Sequence, residues 1–451
     1  MSTQDYDGSA RSENKTIAAL SHDTSKPSSL RSGYGGHSVD TTPTQPLTTK
    51  TEKQITARSA RSLRSTLPPS ENGILPEHEG QREQLSLLQC LKAVVFATKI
   101  NVFLIFVPAG FLVNYLHAPD VAVFIINFVA IIPLAKLLGY ATEEISLRVG
   151  QNVGALLNAS FGNAVELILS IIALKEGKID VVQASLLGSV LSNLLLVLGF
   201  CFIFGGIKFD TQTFNQTAAQ TSASLLSLSC LSLLIPAAFH ATASTGIDQT
   251  ANIQHLSYGT SIVLLIVYIL YLFFQLKTHT HLYVTDNEEE EEPVLPLWLG
   301  IVLLLVITVL VAFCAEFLVG SIDGLSHSWG LSTVFIGLIL LPIVGNAAEH
   351  VTAVSVAMKN KMDLAIGVSI GSSMQVALFV TPLMVIIGWI IGQNMTLFFN
   401  TFETCILFVS VLIVNYLIQD GESNWLEGVM LLSTYVIIAI AIFFYPGSTS
   451  D

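Results

Sequence analysis

Two stretches of the chain repeat each other, 161-FGNAVELILSIIALKEGKIDVVQASLLGSVLSN-193 and 344-VGNAAEHVTAVSVAMKNKMDLAIGVSIGSSMQV-376. They align without a gap, so matched residues are always 183 positions apart (349 − 166 = 183). Five matches in this register indicate that the two stretches are copies of one structural unit. The matched pairs are Gly162 with Gly345, Asn163 with Asn346, Glu166 with Glu349, Gly188 with Gly371 and Ser189 with Ser372.

The composition around these copies is that of a membrane protein. Of the 451 residues, 52% are hydrophobic and 12% are charged, whereas a soluble globular protein has roughly 25% charged residues. The apolar runs are about 20 residues long, which is the length that a helix needs to cross the hydrocarbon core of a bilayer. Runs such as 301-IVLLLVITVLVAF-313 do not alternate as the strands of a β-barrel would. We therefore expect an all-α integral membrane protein.

The apolar runs predict about eleven transmembrane helices, among them a third span at 152–174 and an eighth at 331–357. One extra N-terminal helix precedes two repeats of five helices each. Because five is odd, the second repeat enters the membrane inverted, which is a recurrent plan of secondary transporters with a site near the midplane. The predicted domains are a disordered cytosolic tail (1–88), the extra helix (89–117), the first repeat (118–280), an acidic cytosolic linker (281–293), the second repeat (294–446) and a lumenal C-terminus (447–451).

The basic residues of the short connections predict the orientation of the chain. If the N-terminus is cytosolic, the lumenal connections contain only Lys175 and Lys178. The positive-inside rule favours this orientation, because the cytosolic connections then contain Arg148, Lys208, Lys277, Lys359 and Lys361.

Glu166 and Glu349 are the leading candidates for a functional site. A carboxylate inside a membrane span is costly and usually lines a pathway or pairs with another group. We expect no Lys or Arg partner at the same depth, since Lys136 is predicted near the cytosolic end of the second span and the lysines of 175–178 lie in a hairpin. Two unpaired carboxylates brought together by the repeats predict a cation site.

The polar residues around the glutamates predict a hard cation. Asn163 and Asn346 each lie three positions before a glutamate and so share its helix face. Amide, hydroxyl and carboxylate oxygens are ligands of Ca2+, whereas Zn2+ and Cu favour His and Cys. His350 is expected to point about 100° away from Glu349 around the helix, and we interpret it as a packing residue or a modulator. Further oxygens on the following helices come from Ser185, Ser189, Ser192, Ser372 and Gln375.

The charge of such a site predicts how transport is coupled. Two facing carboxylates repel each other, which favours protonation of one or both when the site is empty. One Ca2+ or two protons neutralise the same pair, so Glu166 and Glu349 are also the predicted proton-coupling residues.

These motifs resemble the cation/proton exchanger branch of the calcium/cation antiporter superfamily, and within it the fungal vacuolar Ca2+/H+ exchangers. The resemblance rests on GNAVELI with QASLLGSVLSN, GNAAEHV with GVSIGSSMQV, and the acidic run 286-DNEEEEEP-293 between the halves. It implies exchange of cytosolic Ca2+, with Mn2+ as an alternative, for lumenal H+ across a vacuolar membrane. The implied metal ligands are Glu166 and Glu349, assisted by Asn163, Asn346, Ser189, Ser372 and Gln375.

The resemblance also implies an entrance carboxylate at Glu143, although the adjacent Glu144 leaves that assignment ambiguous. The acidic run is either a surface that gathers divalent cations or a solvated linker. The alternative functions are a Na+/Ca2+-type exchanger and a cation channel. No zinc motif, serine nucleophile elbow or dinucleotide-binding fingerprint supports an enzyme, and we expect a transporter embedded in lipid with no resident cofactor and no nucleic acid partner. A homo-oligomer is compatible with these features.

Overall fold

The computed structural model describes residue 94 and residues 98–242, 249–283 and 293–445. These residues lie in the compact unit Glu83–Asp451. The predicted tail at 1–88, the C-terminus at 447–451 and residues 284–292 of the acidic linker lie outside the described residues.

The described ranges are mostly helical, and their fourteen longer helices are numbered here in chain order, apart from the short 3-10 helix Thr280–Leu282. In the first part of the chain these are α1 Lys99–Tyr115, α2 Asp120–Val149, α3 Gln151–Phe161, α4 Ala164–Lys175, α5 Ile179–Gly206, α6 Gln216–Thr242 and α7 Thr250–Thr278. In the second part these are α8 Leu297–Gly320, α9 Ile322–Trp329, α10 Thr333–Gly345, α11 Ala347–Ala357, α12 Met362–Ile391, α13 Thr401–Leu417 and α14 Trp425–Phe444.

Seven of these helices are long and apolar enough to cross a membrane, namely α2, α5, α6, α7, α8, α12 and α14. Helices α1 and α13 are shorter and apolar, and α9 and α10 form a pair bent by 118°. The expected all-α membrane class is confirmed, and the count of eleven spans stays a prediction.

The third and eighth spans are each broken, and the expectation of one continuous helix in each is wrong. The first break lies at Gly162 and Asn163, between α3 and α4, and the second lies at Asn346, between α10 and α11. The backbone of Asn163 has φ −101° and ψ 24°, and that of Asn346 has φ −90° and ψ 4°, which are not helical values. Asparagine favours such positions because its side chain competes for backbone hydrogen bonds.

Helices α5 and α12 follow the breaks and form the centre of the packed core. On α5, Leu187, Leu191 and Leu195 are fully buried. Each helix contains a π-helical turn at a corresponding position, Ser192–Val197 in α5 and Val376–Val380 in α12. Such turns are frequent at functional sites, and here they directly follow the polar residues of the repeats.

Helix α2 is longer than predicted, and this changes the position of Lys136. The helix continues to Val149, so Lys136 lies near its middle and not near its cytosolic end. The last turns of α2 hold the start of the second half of the chain. Glu144 Oε2 accepts a hydrogen bond from the Leu295 backbone N–H at 2.8 Å, and Arg148 donates to the Leu295 and Pro293 carbonyl oxygens.

A short antiparallel ribbon joins two connections at one end of the bundle. Gln212–Thr213 (β1) pairs with Glu422–Ser423 (β2), which links the α5–α6 connection to the α13–α14 connection. By the predicted orientation this is the cytosolic end.

Candidate cation site

The helix breaks place the two glutamates at equivalent positions. Glu166 lies in the first turn of α4 and Glu349 lies in the first turn of α11. The N-terminus of a helix has a partial positive charge, which stabilises a negative side chain in the first turn. The breaks therefore place both carboxylates at helix N-termini, which offsets part of the cost of an ionised side chain inside the membrane-spanning region.

Two hydrogen bonds between the repeats are related to each other by the sequence register. Ser372 Oγ donates to Asn163 Oδ1 at 3.1 Å, and Ser189 Oγ donates to Asn346 Oδ1 at 3.2 Å. Asn163 corresponds to Asn346 and Ser189 corresponds to Ser372 in the 183-residue register, so exchanging the two repeats converts one pair into the other. Such reciprocity is what a two-fold axis produces, so the copies detected in the sequence also face each other in space.

The two asparagines bind across the repeats and do not cap their own helices. Each occupies the N-cap position, yet neither makes a side-chain capping hydrogen bond. Asn163 Nδ2 donates to Gln375 Oε1 at 2.6 Å, and Asn346 Nδ2 donates to Ser192 Oγ at 3.2 Å. These contacts hold α4 against α12 and α11 against α5.

The two carboxylates lie inside this frame. Glu166 is 8% exposed, and its Oε1 would lie 3.1 Å from a Cβ atom placed on Gly345, so it packs against the end of α10. Glu349 Oε1 lies 3.1 Å from Ser372 Oγ and so competes with Asn163 Oδ1 for the single hydroxyl proton of Ser372. Its Oε2 is buried and has no hydrogen-bond partner among the described residues. A buried carboxylate oxygen without a donor can bind a cation or a proton.

Asn193 belongs to this group of residues and was not predicted. Its Nδ2 donates to Ser372 Oγ at 3.0 Å, and its Oδ1 is buried without a partner in the described ranges. The repeat register did not indicate this residue, because the position that corresponds to Asn193 in the second repeat is the apolar Val376.

His350 reaches the edge of the site. Its Nε2 lies 3.4 Å from Ser192 Oγ, so the side chain contacts a residue that binds Asn346. The expectation that His350 points away from Glu349 describes its position around α11, but the imidazole still meets the opposite repeat. Its role as a modulator stays a prediction.

The two repeats differ in how tightly their small-residue helices are packed. A Cβ atom on Gly188 of α5 would lie 2.2 Å from the Leu338 carbonyl oxygen of α10, so these helices are in close contact. A Cβ atom on the matching Gly371 of α12, or on Gly367 one turn earlier, would meet nothing within 4 Å. One repeat interface is therefore closed and the corresponding interface is open.

A cavity of about 720 Å³ lies on the open side, along α12. Phe214, Asn215, Leu282 and Tyr283 place it at the predicted cytosolic end, and its carboxylate is that of Asp363. Asp363 was not predicted as a site residue, although it lies 183 positions after Asp180 and so repeats with the rest of the motif. The lining on the side of the glutamates includes Asn158, Thr352, Gly367 and Ile370.

The structure separates the roles of the adjacent carboxylates at the end of α2. Glu144 is buried and accepts the Leu295 backbone N–H. Glu143 is exposed, so it is the one available to solvent. Its role as an entrance carboxylate stays a prediction.

Comparison with known proteins identifies the family. The family described as sodium/calcium exchanger protein matches residues 120–277 and 299–444. The chain belongs to this family. The two matched segments cover both copies of the repeat and leave out α1.

Curated relatives place the chain within the cation/proton exchanger branch. A vacuolar calcium ion transporter of Schizosaccharomyces pombe is 52% identical over 369 residues, covering 80% of this chain and 90% of the relative. A Ca(2+)/H(+) antiporter of Synechocystis sp. is 49% identical over 370 residues, covering 78% of this chain and 99% of the relative. The resemblance read from the repeat motifs is thus confirmed.

Solved structures share the fold of this family member. The selenium-substituted Ca2+/H+ antiporter protein YfkE superposes with a TM-score of 0.65 at 38% identity, covering 76% of this chain and 99% of that chain. The H+/Ca2+ exchanger CAX superposes with a TM-score of 0.61 at 13% identity, covering 78% of this chain and 88% of that chain.

Proposed function

We propose that this exchanger is a secondary active antiporter that moves cytosolic Ca2+ into an acidic organelle in exchange for lumenal H+. The observation that carries the proposal is the pair Glu166 and Glu349, one from each repeat, at facing helix breaks lined by amide and hydroxyl oxygens. The names of the relatives, a vacuolar calcium ion transporter and a Ca(2+)/H(+) antiporter, support the same ions.

The two glutamates are the main cation ligands in this proposal. Hard cations such as Ca2+ bind six to eight oxygens, often from carboxylates and amides. Mn2+ accepts the same ligand types and is the alternative substrate. The assisting oxygens are those of Asn163, Asn346, Ser189, Ser372 and Gln375.

Protons and Ca2+ compete for the same two carboxylates. Protonation on the acidic side neutralises Glu166 and Glu349 and releases Ca2+, and deprotonation on the cytosolic side restores the binding charge. Two protons moving through about 1.5 pH units release about 4 kcal/mol. This is similar to the cost of about a thousandfold Ca2+ gradient, so exchange through this pair alone is energetically sufficient.

Alternating access follows from exchanging the roles of the two repeats. In this structure α5 is packed against α10, while the corresponding face of α12 borders the cavity at the predicted cytosolic end. If α12 closed against α3 and α5 separated from α10, the site would open to the opposite side. The inverted-repeat plan gives both conformations the same local packing.

The proposed location is the vacuolar membrane, crossed several times, with the N-terminus in the cytosol. The relatives named vacuolar support the membrane, and the positions of the basic residues support the orientation. The protein acts as a transporter and not as an enzyme.

Ca2+ uptake into liposomes tests the function. The full chain is reconstituted into vesicles that are acidic inside, and uptake is compared for the parent, Glu166→Gln and Glu349→Gln. The parent should accumulate Ca2+ and each variant should lose at least about a hundredfold in uptake, because removing one of two charged ligands costs several kcal/mol. Glu422→Gln, which removes the charge of an exposed glutamate on β2, is the matched control and should behave as the parent.

Two results would contradict the proposal. Parent-level uptake by either glutamine variant would remove that glutamate from the site. Uptake that persists after the pH gradient is dissipated, or that requires a Na+ gradient instead, would exclude proton exchange and favour a channel or a Na+/Ca2+-type exchanger.

A further inference from the structure

Lys136 brings a positive charge to α11, the helix that contains Glu349. It lies near the middle of α2, is half-buried, and its Nζ donates a hydrogen bond to Thr352 Oγ1 of α11 at 3.1 Å. The same Thr352 hydroxyl donates to the Ala348 carbonyl oxygen at 3.0 Å. The hydroxyl can therefore only accept from Lys136, and its orientation is fixed.

The position of Thr352 brings this ammonium to the face of α11 that contains Glu349. The two residues are three apart, so their Cβ atoms lie about 5–6 Å from each other on one helix face. Side chains of a helix lean toward its N-terminus, which here is the end with Glu349. Thr352 also lines the cavity, so the Lys136 ammonium is hydrogen-bonded to a residue of the cavity wall.

Lys136 contacts a residue three positions from Glu349 and makes no direct ion pair with either glutamate. In the described part of the chain, the ion pairs within 4.0 Å are those of Lys178 with Glu176 and Asp323. The Glu349 oxygens thus stay available to a ligand, while the ammonium acts on them through space.

A hydrogen bond alone does not account for a lysine at this depth. Burying an ammonium in a membrane span costs more than one hydrogen bond to a hydroxyl returns. An ionised Glu349, three positions before Thr352 on α11, would supply the missing stabilisation. By the same interaction, the lysine must weaken the binding of any cation between the glutamates.

We propose that Lys136 is a fixed cation that sets the affinity of the Glu166 and Glu349 site for the transported ion. It is a positioning charge and not a ligand, and its role rests on the proposed cation site. With both glutamates ionised, it reduces the local charge from −2 to −1. Ca2+ then binds weakly enough to be released into the lumen.

Binding of ions of different charge to the purified full chain tests the proposal. Removing the charge in Lys136→Met should lower the half-saturating Ca2+ concentration by about fivefold. Coulomb energy is proportional to the charge of the ion, so the half-saturating La3+ concentration should fall by about elevenfold, which is the three-halves power of five. Lys136→Arg keeps the charge and should stay within about twofold of the parent.

Thr352→Val distinguishes the charge from the hydrogen bond. This variant removes the acceptor and keeps the ammonium, so it should bind both ions within about twofold of the parent. If it reproduced the affinities of Lys136→Met, or if Lys136→Met changed Ca2+ and La3+ binding by the same factor, Lys136 would be a structural tether and the proposal would fail. If Lys136→Met did not fold, Lys136→Gln would be measured by the same criteria.

Failure of this proposal is distinguishable from failure of the proposed function. Binding to detergent-purified protein needs no pH gradient, whereas exchange is tested by uptake into acidified vesicles. One outcome would overturn only the role of Lys136: the parent takes up Ca2+, but Lys136→Met changes the half-saturating concentrations of Ca2+ and La3+ by the same factor or not at all. Absence of any Ca2+ binding that depends on Glu349 would overturn both.

Discussion

The hydroxyl of Ser372 lies 3.1 Å from the Oε1 of Glu349, and it also lies 3.1 Å from the Oδ1 of Asn163 in the opposite repeat. A serine hydroxyl has one proton to donate. An ionised Glu349 attracts this proton more strongly than the amide does, because hydrogen bonds to charged acceptors are stronger. A protonated Glu349 leaves the proton available to Asn163. The charge of Glu349 is therefore connected to a hydrogen bond between the two repeats.

Replacing Ser372 should weaken Ca2+ binding without removing the site. In Ser372→Ala, Glu349 loses its hydroxyl donor and Asn163 loses a partner across the repeats. We expect the half-saturating Ca2+ concentration for uptake to rise about tenfold, the effect of about 1.4 kcal/mol. Uptake is measured in inside-acid vesicles over a range of Ca2+ concentrations.

Ser373→Ala is the matched control for this change. Ser373 is buried beside Ser372, but its hydroxyl donates to backbone carbonyl oxygens, including that of Ser369 at 2.9 Å. Its loss should affect thermal stability and leave the Ca2+ dependence unchanged. An equal effect of both alanine variants on Ca2+ affinity would show that general packing, and not the contact with Glu349, is responsible.

Gly188 and Gly371 should respond differently to alanine although they correspond in sequence. In the present conformation a methyl group on Gly371 fits, whereas one on Gly188 collides with the Leu338 carbonyl oxygen. If the repeats exchange roles, Gly371 must close against α3 as Gly188 closes against α10. Gly371→Ala should therefore leave Ca2+ binding within about twofold and reduce uptake at least about tenfold, since a backbone clash of this kind costs more than about 1.4 kcal/mol.

Gly188→Ala should weaken Ca2+ binding from the cavity side. The added methyl group collides with the Leu338 carbonyl oxygen in the present conformation, which is the one that is open to the cavity. Gly259→Ala on α7 is the control, since its Cβ also meets nothing within 4 Å and it lies outside the repeated motif. Parent-level uptake by Gly371→Ala would contradict the exchange of roles between the repeats.

The sequence was sufficient for the fold class and for bringing the glutamates together. Apolar run length determines the helical membrane fold, and the fixed register of Glu166 and Glu349 implies equivalent positions in two copies. The reciprocal contacts of Asn163 and Asn346 agree with that register. Their assignment as ligands stays a prediction.

The remaining features depend on geometry that a residue pattern does not contain. The helix break at Asn163 interrupts an apolar run that contains no proline, and the break at Asn346 lies four residues after Pro342, so hydropathy gave one helix in each span where there are two. Asn193 has no polar counterpart in the other repeat. The position of Lys136 depended on how far α2 continues, and helix ends are poorly determined by sequence. The open and closed repeat interfaces differ although Gly188 and Gly371 correspond in sequence, and the repeat register alone does not predict that difference.

Glu143 and Glu144 should differ in what their loss affects. Glu144 binds the Leu295 backbone N–H that begins the second half of the chain. Glu144→Ala leaves this buried donor unpaired and should reduce stability by about 1–3 kcal/mol, seen as a lower Tm in detergent. Glu143→Ala should raise the half-saturating Ca2+ concentration by about twofold if Glu143 collects cations at the entrance. A lower Tm for Glu143→Ala with unchanged Ca2+ dependence would assign it a structural role.

Lys178 should control the opening of the predicted lumenal side. Its Nζ lies 3.1 Å from Asp323 Oδ2 on α9 and donates to the Val319 carbonyl oxygen at the end of α8 at 2.8 Å. It thereby joins the α4–α5 hairpin of the first repeat to the second repeat, at the end opposite the cavity. Separation of these elements in the lumen-open conformation would break both contacts, so they favour the conformation seen here.

Lys178→Met should therefore shift the equilibrium toward the lumen-open conformation. Asp323 is 61% exposed, and an ion pair of this kind contributes at most about 1 kcal/mol. We expect the half-saturating Ca2+ concentration on the cytosolic side to rise about two- to threefold, with Lys175→Met on the same hairpin as the control for charge. High salt inside the vesicles should screen the pair, moving the parent toward the variant and leaving the variant unchanged. If salt affected both proteins equally, the ion pair would have no part in the equilibrium between the two conformations.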